Sequence, residues 1–556
     1  MRALIPFALC CAALVPAVRA GDFSTDPGGA LSAPLEDKAT SCHQIVLDGA
    51  TIRYTATAGH LTATRRAGNA PEAAFFYVAY TADGKDPATR PLTFCYNGGP
   101  GSASVWLHLG SFGPKRLVTG DPATTGKIPF PLVDNQESLL DTTDLVFVDA
   151  VGTGLSEAVA PNTNQTFWGV DQDAGAFRDF VLRYLAVNQR QHSPLYLFGE
   201  SYGTPRTAVL ANLLGAAGVK LAGVVLQSSI LDYNANGDMG MGGSCASFLP
   251  SYSAVGAYYR LATPEPADLP PFIQQVRVFT AGTYGPAVTA WLGSGTPPAS
   301  GLVARLHDLT GIGLHLWQQD LNLRPLDFQS DLISGSLIGR YDGRVSAPDG
   351  SPLASGGDPS SSFLAKPFTA AIASFLDGFL AYGHGPDYAI MSDAAEDWDF
   401  SHDGLDLPDT IPDLSAALAR DPGLKVLSLN GYHDLATPFY QTELDLARLG
   451  RQPNLQLRHY NGGHMVYLDD GSRPLEKADL AAFYQAAPGW AGRPDHAAAT
   501  APERLVLPFP AQPGDLAAPL RDPYVPPARR HPSPGSATTG SALRAQVARK
   551  LAQPPQ

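Results

Sequence analysis

The sequence predicts an α/β fold in which helices cover both faces of a mostly parallel central sheet, with a large inserted cap region. Two observations predict this fold. Short apolar runs end in loops rich in Gly, Asp or Asn, which is typical of strands buried on both faces of a parallel sheet. Amphipathic helical stretches separate some of these runs, and such alternation indicates a layered α/β architecture. The apolar runs lie at residues 92–99, 144–152, 195–199, 223–229 and 425–431.

Helical stretches lie on either side of the third apolar run. Phe177, Phe180 and Tyr184 recur at helical spacing within residues 168–187. Leucines and valines recur in the same way after Ser201. Each pattern predicts an amphipathic helix whose apolar face packs on the sheet.

The alternation of strands and helices divides the chain into four parts after residue 20. Residues 21–235 form the first part of the core, and the pattern returns in residues 406–490 as its second part. Between them, residues 236–405 mix Pro, Gly and aromatic residues with helical pieces such as 301–320, which indicates an insertion that caps the site. Residues 491–556 hold 13 of the 49 prolines, so we expect an extended tail there.

Composition is that of a globular protein with a sizeable core. Of the 556 residues, 44% are hydrophobic and 16% are charged. The 38 Lys and Arg residues against 52 Asp and Glu residues give a net charge of -14. The sequence contains no basic run, so we expect no nucleic-acid partner.

The first 20 residues have the pattern of a secretory signal peptide. Arg2 precedes an apolar stretch, and Val18 and Ala20 supply small residues for cleavage before Gly21. The alternative is an N-terminal membrane anchor, but the stretch is short for a spanning helix, which needs roughly 20 apolar residues. We therefore expect a secreted or periplasmic protein with no membrane span after signal removal.

Removal of this segment leaves three cysteines, Cys42, Cys95 and Cys245. In an oxidising compartment an odd number favours one disulfide and one free thiol. Because Cys95 lies within a predicted buried strand, the expected disulfide joins Cys42 to Cys245. No paired Cys/His spacing indicates structural zinc.

The segment Gly199-Glu200-Ser201-Tyr202-Gly203 matches G-x-S-x-G between a predicted strand and a predicted helix. In so tight a turn the serine adopts a strained backbone conformation, and side chains two positions away would collide. The turn therefore presents the Ser201 hydroxyl as a nucleophile at the top of the sheet. The alternative is an ordinary turn serine.

A serine hydroxyl needs a base, and in hydrolases of this layered type the acid and the histidine follow the serine along the chain. Asp434 comes just after one predicted strand, and His464 follows the next. Both then lie at the carboxyl edge of the sheet, where open α/β sheets bind ligands. His433 and His459 are the alternatives to His464.

A second glycine cluster, "NGGPGSASVW" at 97–106, follows the strand that ends near Tyr96. Glycines there allow backbone N–H groups to approach a developing oxyanion. The alternative is a plain Gly-Pro turn.

Four separated segments together resemble the serine carboxypeptidase family of α/β-hydrolases. They are "NGGPGSASVWLHLGSFGP", "DLVFVDAVGTGLS", "GESYG" and "NGGHM", with "NGYHD" in the expected place before the last. The resemblance covers roughly residues 75–235 and 405–470. It implies an exported, bacterial-type member with an α/β-hydrolase fold that releases C-terminal residues from peptide substrates.

The resemblance also implies roles for the catalytic residues. Ser201 would attack the scissile carbonyl, and His464 would take the hydroxyl proton and pass it to the leaving amine. Asp434 would hold the imidazole in the required tautomer. The backbone N–H groups of Gly99 and Tyr202 would form the oxyanion hole. No metal or organic cofactor is expected.

For substrate binding, the resemblance implies that Asn97 and Glu200 hydrogen-bond the free carboxylate of the peptide and that Met465 lines the pocket for its last side chain. Glu200 can face a carboxylate only if the two share a proton, so we expect binding that weakens as pH rises past neutrality. Many members carry a second glutamate where this chain has Ser111. That departure leaves an esterase or acyltransferase as the alternative, while the intact Ser, Asp and His argue against an inactive binding protein.

Overall fold

A computed structural model describes residues 23–65, 68–122, 128–239 and 243–487. A ten-stranded mixed sheet forms its centre, with two small two-stranded sheets outside it. The strands are β1 (Lys38–Leu47), β2 (Ala50–Thr64), β3 (Pro71–Ala82), β4 (Leu92–Tyr96), β5 (Lys115–Leu117), β6 (Leu132–Asp134), β7 (Asp144–Val148), β8 (Glu157–Ala158), β9 (Leu195–Glu200), β10 (Leu221–Gln227), β11 (Ser336–Ile338), β12 (Ser346–Pro348), β13 (Lys425–Gly431) and β14 (Leu455–Tyr460).

The strand order in the central sheet is β1-β2-β3-β7-β4-β9-β10-β13-β14, and β8 pairs with β3. The strands from β7 to β14 in this order run parallel to their neighbours, whereas β1, β2 and β3 add an antiparallel extension at one edge. All five predicted apolar runs therefore form strands of the parallel part. The antiparallel extension had no counterpart in the sequence prediction.

The helices have the following bounds: α1 (Val105–Gly110), α2 (Val170–Val187), α3 (Gly203–Ala216), α4 (Leu249–Tyr258), α5 (Leu269–Phe279), α6 (Gly285–Ser294), α7 (Ser300–Thr310), α8 (Leu314–Gln319), α9 (Pro325–Asp331), α10 (Pro352–Ser355), α11 (Pro359–Ser374), α12 (Ile411–Arg420), α13 (Phe439–Ala447) and α14 (Arg473–Gln485). The two helices predicted around Ser201 are α2 and α3.

Successive side chains of the central strands point to opposite faces of the sheet, and each face is covered by helices. Phe94 and Leu197 belong to a buried cluster that includes residues of α2, α3 and α12. Their neighbours Cys95 and Phe198 belong to a second cluster that includes residues of α1, α11 and α14. A mostly parallel sheet with helices on both faces is the architecture of an α/β-hydrolase, as the sequence predicted.

The chain between β10 and β13 is mainly helical and has a core of its own, built around residues such as Tyr252 and Trp317. The helical piece predicted at 301–320 is two helices, α7 and α8, because Gly311 ends α7 in a left-handed conformation with φ of 81°. The domain boundaries at 235 and 405 stay predictions.

The predicted Cys42–Cys245 disulfide is wrong. Cys42 is exposed on β1, whereas Cys245 is buried in the core of the helical insertion, and the structure does not join them. Cys95 is buried in β4, as expected. Within the described ranges, no helix has both the length and the apolar character needed to cross a bilayer. The predicted signal peptide and the tail at 491–556 lie outside the described residues.

Candidate active site

Ser201 lies in the turn between β9 and α3, and its backbone has a φ of 58°. This left-handed conformation is costly for a residue with a side chain and is characteristic of functional turns. A Cβ on Gly199 would overlap the backbone carbonyl oxygen of Gly203 and the hydroxyl of Thr207. A Cβ on Gly203 would come within 3.0 Å of the carbonyl oxygen of Tyr96. Gly199 is therefore required by close packing of the turn, and Gly203 leaves little room for a side chain, as the sequence predicted.

Asp434 and His464 form a hydrogen-bonded pair at the carboxyl ends of β13 and β14. His464 Nδ1 lies 2.8 Å from Asp434 Oδ2. The other carboxylate oxygen, Oδ1, accepts from the backbone N–H groups of Ala436 at 2.8 Å and Thr437 at 3.0 Å. Because its second oxygen faces Nδ1, Asp434 favours the tautomer that leaves Nε2 unprotonated.

The loop that carries His464 is held by its own backbone. The His464 N–H donates to the carbonyl of Tyr341 at 2.6 Å, and the His464 carbonyl accepts from the Ser228 hydroxyl at 2.6 Å. A Cβ on Gly463 would overlap the Tyr341 carbonyl, and one on Gly431 would overlap the carbonyl of Gly463. The glycines before His464 thus allow three chain segments to meet at the imidazole.

A cavity of about 360 Å³ opens above the Ser201 turn. Ser201 and His464 both line it, so the structure brings these two predicted residues to one site. Within the described part of the chain, the Ser201 hydroxyl and His464 Nε2 form no hydrogen bond. Such contacts are often loose without substrate and tighten in the Michaelis complex.

The second glycine cluster, at 97–106, packs directly against the Ser201 turn. A Cβ on Gly98 would overlap the backbone nitrogen of Tyr202, and Gly99 lines the cavity with a φ of 100°. Arg206 forms an ion pair with Asp173 at 2.6 Å and donates a hydrogen bond to the carbonyl of Asn97 at 2.6 Å. These contacts hold the start of the 97–106 segment in place. The two predicted oxyanion amides therefore belong to segments in contact. The Tyr202 side chain is buried away from the cavity, where its hydroxyl accepts from Trp398.

Glu200 and Asn97 form the polar floor of the cavity. Asn97 Nδ2 donates to Glu200 Oε1 at 2.8 Å, and Asn97 Oδ1 accepts from the Leu107 N–H at 3.0 Å, which fixes the amide orientation. Glu200 Oε2 is enclosed by protein, and the Tyr467 side chain lies close enough to influence the pKa of Glu200. The carboxyl group therefore lies at the cavity wall with Asn97 as its hydrogen-bond donor.

Burial sets the protonation of Glu200. It raises the pKa of Glu200 to about 7, against the opposing influence of His464, Tyr467 and Asn97. Below neutral pH the group is a neutral carboxylic acid that can donate a hydrogen bond.

Two opposing effects act on the pKa of His464. Burial lowers the pKa of His464, but the charge and hydrogen bond of Asp434, together with Glu200, raise it more, so the net change is upward. The imidazolium that forms when His464 takes a proton is therefore stabilised by its surroundings.

The alternative histidines lie elsewhere. Burial lowers the pKa of His433 to about 4, and its ring packs against Tyr258. His459 pairs with Glu443 at 2.8 Å and stacks on Tyr432. Neither of the two histidines lines the cavity.

Several residues that shape the site were not predicted. Thr437 Oγ1 lies 2.8 Å from Asp434 Oδ2 and 3.0 Å from the Ser228 carbonyl, so it braces the acid. The ring of Tyr341 packs edge-on against His464 at 5.0 Å between centroids. The inserted segment supplies further lining from Ser361, Ala365, Lys366, Thr369, Ile390 and Met391. The only sequence signal for Thr437 was its position in the turn after Asp434.

The remaining predicted residue, Met465, lines the cavity, as do Asn97 and Glu200. Ser111 is buried directly after α1, and its hydroxyl donates to the carbonyl of Leu107 in that helix. In the parts of the chain that the structure describes, no group of three or more His, Cys, Asp or Glu side chains is arranged to hold a metal ion.

Comparison with known proteins supports the sequence resemblance. Residues 49–234 match the family model for serine carboxypeptidases. The chain is 28% identical over 145 residues to serine carboxypeptidase-like 33 and 29% identical over 168 residues to serine carboxypeptidase-like 44, both from Arabidopsis thaliana. These matches cover 25% and 29% of this chain and span only 28% and 32% of the relatives' own lengths.

A solved structure is also similar. It is Kex1, described as a prohormone-processing carboxypeptidase from Saccharomyces cerevisiae. The TM-score is 0.48 at 17% identity, over 78% of this chain and 91% of that one.

Proposed function

We propose that the chain releases C-terminal amino acids from peptides through an acyl-enzyme, because residues 49–234 match the family model for serine carboxypeptidases. The observation that carries this proposal is one cavity lined by Ser201, His464 and the carboxyl group of Glu200. A nucleophile, its base and a buried carboxyl group at the same cavity are what cleavage next to a free carboxylate requires.

In the proposed reaction, Ser201 Oγ attacks the carbonyl carbon of the last peptide bond while His464 Nε2 takes the hydroxyl proton. The backbone N–H groups of Gly99 and Tyr202 stabilise the oxyanion that forms. Collapse of this intermediate breaks the C–N bond, and His464 gives its proton to the leaving amine. Water then attacks the acyl-enzyme by the same proton transfers in reverse order, and Asp434 orients the imidazole throughout.

For the substrate, we propose that the neutral acid of Glu200 and the amide of Asn97 bind the terminal carboxylate, and that Met465 contacts the last side chain. The raised pKa of Glu200 and the place of both residues in the cavity lining support this assignment. Residues 236–405 would act as the cap, since several of them line the cavity. The signal-like residues 1–20 support export of the protein, to the outside or the periplasm.

The test is a panel of N-blocked dipeptides with free or amidated C-termini, together with a simple ester. We expect hydrolysis of the free acids to exceed that of the amides by about 10- to 100-fold in kcat/KM, because a hydrogen bond to a charged group contributes about 1.5–3 kcal/mol. Cleavage of ester and amide with no preference for the free carboxylate would instead favour an esterase or acyltransferase. Ser111, whose hydroxyl donates to the Leu107 carbonyl of the preceding helix α1, motivates that second candidate.

Binding of ligands with a free carboxylate should weaken above neutral pH. Since the pKa of Glu200 is raised to about 7, the neutral form that can share its proton predominates below pH 7 and is lost above it. Well above this pKa, the inhibition constant of an N-blocked amino acid should rise about tenfold per pH unit. Inhibition constants are the right measurement because protonation of His464 lowers kcat at acidic pH.

Glu200→Gln should flatten this pH dependence, since the amide stays neutral throughout. The amidated form of the same ligand serves as the control and should show no such loss in the natural protein. Equal affinity for the free acid from pH 5 to 8 would exclude this role of Glu200.

A further inference from the structure

The inserted helix α11 presents one face to the catalytic cavity. Ser361, Ala365 and Thr369, spaced four residues apart, all line the cavity, and Lys366 lines it beside them. Residues at this spacing lie on the same side of a helix. Lys366 is therefore placed by the fold at the wall of the cavity that contains Ser201 and His464.

The charge of Lys366 is not used in contacts that hold the described part of the fold together. Lys366 forms neither an ion pair nor a side-chain hydrogen bond with any residue in the described ranges. Its side chain is exposed, and a lysine carries its charge on a flexible four-carbon stem. The ammonium group is thus free to follow a ligand in the cavity.

Besides Lys366, the one side chain of the described cavity lining that can carry a positive charge is His464. The other ionisable groups of the lining are Glu200, His464 and Tyr341, and the apolar part includes Trp106 and Met465. Lys366 is the only lysine or arginine among the described residues that line the cavity. An acidic ligand side chain beside α11 would meet the opposite charge of Lys366, and a basic one would be repelled.

We propose that Lys366 makes this site select peptides with an acidic side chain at one of the two residues flanking the scissile bond. The inference rests on the proposed carboxypeptidase function, and it names the substrate class of the same site. The terminal carboxylate occupies the polar floor at Glu200 and Asn97, so the side chains next to the scissile bond are the groups left to contact α11. For a partly solvated pair we expect a preference of about three- to tenfold.

The experiment compares isosteric peptides that differ only in charge. N-blocked free-acid dipeptides carrying Glu or Gln at the last or the penultimate position are hydrolysed at pH 5.5 by the full chain. We expect kcat/KM for Glu to exceed that for Gln by about three- to tenfold at one position. Lys366→Met should bring the ratio to about one, Lys366→Arg should keep it, and Lys366→Glu should invert it.

Lys85, exposed in the turn after β3, provides the matched control. Lys85→Met changes the net charge of -14 by the same amount but should leave the Glu-to-Gln ratio as it is. A ratio that is equal in the natural protein and in Lys366→Met overturns the proposal. An equal loss on Glu and Gln peptides overturns it as well, because Lys366 would then bind the main-chain carboxylate.

Failure of the carboxypeptidase function can be told apart from failure of this inference. If the natural protein cleaves none of the peptides, the proposed function fails. Binding of the same peptides to Ser201→Ala protein then decides the role of Lys366. Tighter binding of Glu than of Gln, lost when Lys366→Met is added, supports selection of acidic side chains, and equal binding overturns it.

Discussion

Ser201→Ala is expected to lower kcat for peptide hydrolysis by about 10⁴- to 10⁶-fold, leaving only the catalysis that the oxyanion hole and substrate binding supply. The alanine lacks the oxygen that would form the acyl-enzyme, while Asp434 and His464 keep their hydrogen bond. KM for a free-acid peptide should change little, because Glu200 and Asn97 remain in place. The measurement is steady-state hydrolysis of an N-blocked dipeptide.

A buried serine elsewhere gives the matched control for this variant. Ser251 in α4 is fully buried, and its hydroxyl has no hydrogen-bond partner in the described part of the chain. Ser251→Ala should therefore retain full activity and at least the original stability. A serine-directed phosphonate should label the peptide that contains Ser201 in this control and in the natural protein, and not in Ser201→Ala. Undiminished hydrolysis by Ser201→Ala would place the nucleophile elsewhere.

The sequence was most informative where backbone geometry forces a residue type. Gly199 is required because a Cβ there would overlap backbone atoms, Gly203 leaves little room for one, and the glycines at 431 and 463 allow carbonyls of other segments to approach. The constraint on Gly199 arises within its own turn, from Gly203 and Thr207, so it leaves a pattern that one sequence displays. The buried parallel strands were predicted for a similar reason, since burial on both faces produces unbroken apolar runs.

The antiparallel strands were missed because their pattern differs. β1 alternates exposed and half-buried residues along most of its length, so it contains no unbroken apolar run. The disulfide prediction failed because counting cysteines carries no information on distance, and Cys42 and Cys245 belong to different parts of the fold.

The residues that shape the cavity walls were also beyond prediction from the sequence. The sequence around Lys366 does not distinguish it from any other exposed lysine. Only the packing of the insertion over Ser201 brings it to the site. Thr437 contacts Asp434 through a turn whose geometry depends on Ser228 from another strand end. Contacts between distant segments leave no local pattern, whereas the acid and the histidine could be predicted from their positions after two strands.

Asp434→Asn is expected to lower kcat by about 10⁴-fold while the fold persists. Asn Oδ1 still accepts from the N–H groups of Ala436 and Thr437, but the new amide nitrogen now faces His464 Nδ1 and cannot accept its proton. The imidazole then favours the tautomer with the proton on Nε2, which has no lone pair for the Ser201 proton. Thr437 Oγ1 can donate to the Ser228 carbonyl and accept from the amide, so the melting temperature should change little.

Asp445→Asn is the matched control, because Asp445 is equally buried, accepts from Gln441 at 2.7 Å and lies in α13 away from the cavity. Burial raises the pKa of Asp445 to about 7, so a neutral amide resembles the acid that is already largely protonated at acidic pH, and activity should be retained. The decisive measurement is the double variant. If Asp434 acts only through His464 on the Ser201 hydroxyl, adding Asp434→Asn to Ser201→Ala removes nothing further, and a multiplicative second loss would show that the carboxylate contributes by another route.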